Sequence, residues 1–119
     1  MQEVSQEEIE KLLKHISVND YFLLVEDFLL ETSEQLESIS EKKFNSEPEN
    51  VIRLVHTIKG SSSSLGFDHL SHYSAKFEEL LKNVTIEKKS NIFTTYRDSV
   101  RQSLTTIKHF FNGTDRSRI

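Results

Sequence analysis

The stretch HTIKGSSSSLG, residues 56–66, is the part of this chain that best indicates its fold and its chemistry. In a helix of about 3.6 residues per turn, positions three and four apart lie on one face. Four residues then share a face: His56, Lys59, Gly60 and Ser63. An imidazole is a nucleophile at neutral pH because its unperturbed pKa is about 6.5. The face therefore predicts a nucleophilic histidine beside a cation and an open position, a pattern suited to carrying phosphate.

The apolar residues on both sides of this stretch recur at helical spacing and predict an all-α fold. Ser5 and Glu8 form a capping-box pattern in front of a short first helix. Asn19 or Asp20 is expected to cap a second, longer helix that ends near Phe44.

Pro48 is expected at the start of a third helix, because its missing N–H has no helical partner there. Gly66 interrupts the pattern, and Asp68 is a candidate cap for a fourth helix that ends near Asn83. A fifth helix is expected over residues 87–111. The fourth helix should direct five apolar side chains inward: Leu70, Tyr73, Phe77, Leu80 and Leu81. Four long stripes with short connections predict an antiparallel four-helix bundle, with the short N-terminal helix across one end.

Length and composition narrow the class of protein. A chain of 119 residues is expected to form one domain, with a core over about 5–111 and a frayed tail at 112–119. The absence of cysteine excludes disulfides and thiolate zinc sites. A net charge of -4 argues against binding to nucleic acid or anionic lipid. No apolar run approaches the roughly 20 residues that span a bilayer. We expect a monomeric cytoplasmic protein whose partners are proteins.

The motif formed by His56, Lys59, Gly60, the serines and Gly66 resembles the phosphoacceptor motif of histidine phosphotransfer (Hpt) domains. That motif reads approximately H-x-x-K-G, followed by small residues and a second glycine. The resemblance implies a helical bundle in which Nε2 of His56 accepts a phosphoryl group from a receiver-domain aspartate and passes it to another receiver. Lys59 would offset the negative charge of the phosphoryl group. Gly60 would keep a Cβ from crowding the imidazole and the active-site loop of the partner.

Glu78, on the fourth helix, is a candidate orienting group. It lies at the spacing from the histidine where chemotaxis-kinase phosphotransfer domains carry a glutamate hydrogen-bonded to imidazole Nδ1, whereas many other Hpt proteins have glutamine there. A carboxylate fixes the Nδ1–H tautomer and leaves the lone pair of Nε2 free. The alternative is that Glu78 is an ordinary solvated residue.

The apolar run Phe22-Leu23-Leu24-Val25 is wider than one core-facing stripe requires, so part of it should be exposed. It is either covered by the first helix or part of an apolar patch on which receiver domains dock, as the resemblance implies. On the second interpretation, we expect four residues to contact the partner: Phe22, Val25, Ser63 and Gly66.

The resemblance implies a phosphocarrier rather than a kinase, and the sequence contains no P-loop or kinase signature. No cofactor is expected on this chain, since the resemblance implies that the receiver supplies the Mg²⁺. His69 and His72 are three residues apart, but no third ligand is evident, so no metal site is expected. Two alternatives remain open: a phosphoacceptor domain excised from a chemotaxis-type or hybrid sensor kinase, and a helical adaptor that binds receivers without taking phosphate.

Overall fold

The computed structural model describes residues 2–39, 44, 46–84 and 86–113, with the side chains of 86–90 excepted. The described residues form five helices and no strand, which confirms the all-α prediction. The helices are α1 (Gln6–Leu12), α2 (Val18–Glu37), α3 (Pro48–Leu65), α4 (Asp68–Asn83) and α5 (Ile86–Asn112).

The four long helices form a closed ring in which each contacts its two neighbours. Helix α3 packs against α2 and α4, and α5 packs against α4 and α2. Contacts between neighbours run in opposite directions along the two helices. Tyr21, near the start of α2, contacts Leu65 at the end of α3, and Tyr73 of α4 contacts Ser99 of α5, whereas the later Phe77 contacts the earlier Tyr96. Neighbouring helices are therefore antiparallel, and the bundle measures 48 × 22 × 20 Å. This confirms the predicted four-helix bundle.

The core is built mainly from aromatic and β-branched side chains on the inward faces of the helices. Its largest fully buried members are Tyr21, Tyr96, Phe44, Phe67, Ile9, Leu36, Ile58, Leu70, Leu81, Ile107, Val25 and Val51. Each such side chain contributes roughly 1.5–3 kcal/mol through the apolar surface that it removes from water. The buried core thus fixes the relative positions of α3 and α4, and with them the positions of their exposed residues.

A two-residue connection joins α3 to α4. Gly66 adopts a left-handed conformation with φ of 87°, which glycine tolerates because it has no Cβ. The amide of Phe67 donates to the carbonyl of Ser62 at 2.8 Å, and the carbonyl of Gly66 accepts the amide of Ser5 at 2.8 Å. These bonds end α3, reverse the chain and attach the N-terminal segment, so that α1 lies at this end of the bundle.

The starts of α1 and α3 are as predicted, whereas both ends of α2 differ from the prediction. The Ser5 hydroxyl accepts the amide of Glu8 at 3.3 Å, and α3 begins at Pro48, both as predicted. Helix α2 is capped by Ser17, whose hydroxyl accepts the amide of Asp20 at 3.0 Å, and not by Asn19 or Asp20. It ends at Glu37 rather than near Phe44, and the Ser38 hydroxyl donates to the carbonyl of Gln35 at 2.7 Å. Serine competes in this way for the backbone bonds that continue a helix.

The start of α4 and one of its inward positions also differ from prediction. Asp68 is the first helical residue, and Phe67 occupies the capping position without a side-chain cap. The Phe67 ring is fully buried, so apolar packing rather than a polar cap fixes the entry to this helix. Leu80 is exposed, whereas Leu81 beside it is buried. Helix α4 ends at Asn83 as predicted.

Helix α5 extends one residue beyond each end of its predicted range. The predicted tail, 112–119, therefore starts with the last helical residue, and residues 114–119 lie outside the described residues.

The two glycines of α3 and its cap should respond oppositely to replacement by alanine. A Cβ at Gly66 would lie 3.3 Å from Glu8 Cβ at positive φ, whereas one at Gly60 meets nothing within 4 Å. We expect Gly66→Ala to lower the free energy of unfolding by about 1–2 kcal/mol. Gly60→Ala should raise it by about 0.5–1 kcal/mol, because alanine is the better helix former. Urea unfolding followed by circular dichroism measures both; an unchanged or raised stability of Gly66→Ala contradicts the role of the left-handed cap.

Candidate functional site

His56 and Glu78 meet across the antiparallel pair α3 and α4. Nδ1 of His56 lies 2.8 Å from Oε2 of Glu78. Each helix carries a fully buried small side chain nearby, Ser62 on α3 and Ser74 on α4. The hydroxyl of Ser71 on α4 donates to the carbonyl of Lys59 on α3 at 3.2 Å. The spacing of α3 and α4 thus places the carboxylate against the imidazole.

The Glu78 carboxylate is the centre of the site. Its side chain is only 9% exposed, and a carboxylate removed from water requires charged or hydrogen-bonding partners. The ammonium of Lys59 donates to Oε1 at 3.0 Å, and the ammonium of Lys82 lies 3.3 Å from Oε2. Together with His56, these groups give both carboxylate oxygens a partner. With a neutral imidazole the cluster carries a net positive charge, since two ammonium groups face one carboxylate.

The protonation state of Glu78 determines which nitrogen of His56 is free. Burial alone raises the pKa of Glu78, but hydrogen bonds from Lys59, His56 and Lys82 outweigh it and lower the pKa below its ordinary value of 4.5. At neutral pH the carboxylate is therefore ionised and can only accept hydrogen bonds. Nδ1 of His56 must carry the proton that this contact uses, which leaves the lone pair on Nε2.

The imidazole is accessible from solvent, since the His56 side chain is 62% exposed. Gly60, one turn further along α3, is exposed as well. The prediction that a Cβ at this position would crowd the imidazole is wrong, because such a Cβ meets no atom within 4 Å. Folding of this chain therefore does not require a glycine here, and the helix loses stability by keeping one.

The serines after Gly60 have different environments. Ser63 is exposed, on the side of α3 that carries His56. Ser62 is buried and donates to the carbonyl of Ile58 at 2.6 Å. Gly66, predicted to contact a partner, is instead buried against α1. Its left-handed conformation and its contacts with α1 account for the glycine within this chain.

The predicted docking residues Phe22 and Val25 lie in the core. Both are buried, and the Phe22 ring packs edge-on against Phe111 at 5.3 Å. The prediction that they form a surface patch is wrong, because α2 turns the other two residues of the run, Leu23 and Leu24, toward solvent. An apolar run that covers more than one helix face does not itself indicate which face is buried.

An open groove of about 570 Å³ lies between α1, α2 and α3. Its apolar lining includes Leu24 and Phe28 of α2, and Asp27 and Glu31 contribute acidic groups. Thr57, the residue after His56, also lines it. The groove thus runs beside the face that carries the histidine.

The histidines other than His56 do not form a metal site in the described part of the chain. Nδ1 of His69 lies 3.0 Å from Oε2 of Glu3, which ties α4 to the N-terminal segment. Among the residues with described side chains, no group of three or more His, Asp or Glu side chains is arranged to hold a metal ion.

Lys82 is the site residue that sequence reasoning missed. Its contact with Glu78 is an i,i+4 pair on α4, and a glutamate four residues before a lysine is a recognisable helical ion-pair pattern. That spacing was the available signal, but it becomes informative only once Glu78 is placed beside His56.

An antiparallel helical bundle that presents an exposed histidine, with a lysine one turn later and an orienting carboxylate on the next helix, defines a phosphotransfer-type domain. The family model described as Hpt domain matches residues 23–110. The chain belongs to the Hpt domain family, whose members are phosphocarriers that act in phosphorelays through a phosphohistidine and interact with receiver domains. No curated protein and no solved structure matches the chain.

Across the described part of the chain, every helix is too short or too polar to cross a membrane.

Glu78 should make stability depend on pH. Because its pKa is lower in the folded protein, the carboxylate stabilises the fold above its ordinary pKa, and this contribution is lost as pH falls through the lowered value. We expect the stability difference between wild type and Glu78→Gln to shrink between pH 6 and about pH 3. Chemical denaturation at several pH values measures it. Glu79→Gln, at the exposed neighbouring position, is the control and should show no such trend; a difference independent of pH for Glu78→Gln contradicts the assignment.

Proposed function

We propose that this protein relays a phosphoryl group between receiver-domain aspartates, and that His56 is the residue that carries it. The observation that supports this best is the contact between Nδ1 of His56 and the ionised Glu78 carboxylate at 2.8 Å. It directs the free lone pair to Nε2, on a ring that is open to solvent. A nucleophile held in one tautomer and orientation is what a transfer between two proteins requires.

The proposed transfer exchanges one bond to phosphorus for another. Nε2 attacks the phosphorus of an aspartyl phosphate, the N–P bond forms, and the P–O bond to the aspartate breaks. The released electron pair stays on the aspartate as a carboxylate. The ring keeps the proton on Nδ1 and becomes positively charged. Glu78 faces this new charge at hydrogen-bond distance, so it stabilises the phosphorylated ring electrostatically.

Lys59 supports the same step from α3. Its ammonium is bound to Oε1 of Glu78 at 3.0 Å and remains partly exposed. A flexible lysine in this position can offset the charge of an incoming phosphoryl group. The receiver would supply the aspartate and the Mg²⁺, which neutralises phosphate charge during transfer. We propose that this chain supplies the nucleophile and has no autonomous kinase activity.

The docking surface that we propose comprises the groove between α1, α2 and α3 together with the exposed Leu23 and Leu24. Exposed apolar residues beside a reactive group are typical of a protein contact surface. Gly60 belongs to this surface, since the space above it is free in the isolated protein. The contact should be small and short-lived, because each partner must leave after transfer. We propose that the protein works as a monomer in the cytoplasm.

The same site also fits a phosphoacceptor domain of a chemotaxis-type kinase. Glu78 bound to imidazole Nδ1 resembles the arrangement in phosphoacceptor domains of chemotaxis-type kinases. In that context the phosphate would come from the ATP-binding domain of a kinase rather than from a receiver aspartate. Parallel labelling reactions with a phosphorylated receiver and with a kinase that lacks a receiver distinguish the two donors.

His56→Gln should abolish phosphate uptake. We expect wild type, incubated with a phosphorylated receiver and Mg²⁺, to gain one acid-labile phosphate by intact-mass measurement, because only an exposed, correctly oriented imidazole can form the phosphoramidate. His72→Gln, which removes another exposed histidine, is the matched control and should be labelled like wild type. Labelling of His56→Gln would show that another residue takes the phosphate. A receiver that binds wild type without labelling it would favour an adaptor.

Gly60→Leu should separate folding from transfer. Since a Cβ at this position meets no atom within 4 Å, the variant should fold, but its side chain should obstruct the receiver and reduce the transfer rate by at least about tenfold. Rapid-quench transfer kinetics measure the effect. Thr105→Leu, which adds bulk at an exposed position of α5, should leave the rate unchanged. A Gly60→Leu rate equal to that of wild type contradicts the proposed docking face.

A further inference from the structure

Lys82 shares a carboxylate oxygen with the reactive histidine. Its ammonium lies 3.3 Å from Oε2 of Glu78, and the same oxygen lies 2.8 Å from Nδ1 of His56. Lys59 binds the other oxygen, Oε1. The two lysines are therefore not equivalent, because only Lys82 competes with the imidazole for one acceptor atom.

The contact between Glu78 and Lys82 is internal to α4. The lysine follows the glutamate by four residues, the orientation that stabilises an isolated helix. Lys82 can therefore contact Glu78 through the local geometry of α4 alone, whatever the position of His56 on α3. The Lys82 side chain is 57% exposed, so replacing it leaves the core intact, and its effect on the site should be modest because water screens such a pair.

We infer that Lys82 is a positioning residue that limits the strength of the hydrogen bond between Glu78 and His56, and thereby the nucleophilicity of Nε2. The inference rests on the proposed function and concerns the regulation of that same site. A cation on Oε2 reduces the negative charge available to Nδ1–H, because both bonds draw on one oxygen. The imidazole is then a weaker nucleophile than an unshared carboxylate would make it, and a better leaving group when the phosphate moves on.

A direct effect of Lys82 on the phosphoryl group would have the opposite sign. A lysine that attracted the phosphoryl dianion would speed transfer to His56, and its loss would slow transfer in any background. A lysine that acts through Glu78 slows transfer to His56, and its effect depends on the carboxylate. The sign of the change and its dependence on Glu78 therefore separate the two roles.

The test is a double-mutant cycle of Lys82→Gln and Glu78→Gln, with Lys82→Arg as the conservative variant. With a phosphorylated receiver as donor, we expect Lys82→Gln to accept phosphate about twofold faster than wild type. Lys82→Arg should behave like wild type, since it keeps the charge. In the Glu78→Gln background, Lys82→Gln should have no effect. In the free protein, the Nδ1–H proton of His56 should move downfield in Lys82→Gln, as a stronger hydrogen bond requires.

An unchanged or slower rate for Lys82→Gln, an equal effect in both backgrounds, or an unmoved Nδ1–H resonance would each overturn the inference. These outcomes differ from failure of the proposed function, in which wild type itself takes up no phosphate. The resonance measurement needs no phosphate donor, so it tests the link from Lys82 to His56 even in that case.

Discussion

The register of the α3 and α4 pair determines how His56 and Lys59 lie relative to Glu78. His56 is ten residues before Gly66 and Glu78 is twelve residues after it, so the left-handed glycine that ends α3 also places the two side chains opposite each other. The bond from the Phe67 amide to the Ser62 carbonyl closes the connection. About one turn further along both helices, the bond from the Ser71 hydroxyl to the Lys59 carbonyl maintains the register. A longer connection would allow the helices to slide, and the carboxylate would then meet a different turn of α3.

A buried carboxylate such as Glu78 is stable only when partners offset the loss of its hydration. Removing charges from water costs several kcal/mol per ion, and apolar residues of similar size often stabilise a fold equally well or better. Glu78 avoids an uncompensated charge only because three donors from two helices converge on it. The same convergence orients one imidazole and leaves it open to solvent. The partners that stabilise the ionised Glu78 therefore include the imidazole that it orients.

The sequence predicted correctly which residues of α3 share a face, because helical geometry is local. The spacing of His56, Lys59 and Gly60 requires only a helix, and Pro48 marked where that helix begins. The contact with Glu78 lies between helices, so periodicity alone did not reveal it, and it was expected only through the resemblance. The prediction of the docking residues was wrong for a related reason. A run that is apolar on all sides fits either orientation of α2, and in the structure Phe22 packs inside against Phe111.

We propose that Glu78 holds the proton on Nδ1 of His56, so that Nε2 receives the phosphate. Phosphorus–nitrogen coupling in the NMR spectrum of the phosphorylated protein, labelled with ¹⁵N in its histidines, tests it most directly. Coupling of the phosphorus to Nε2 of His56 is the predicted result. Coupling to Nδ1, or to a ring of another histidine, would contradict the role assigned to Glu78 and with it the mechanism.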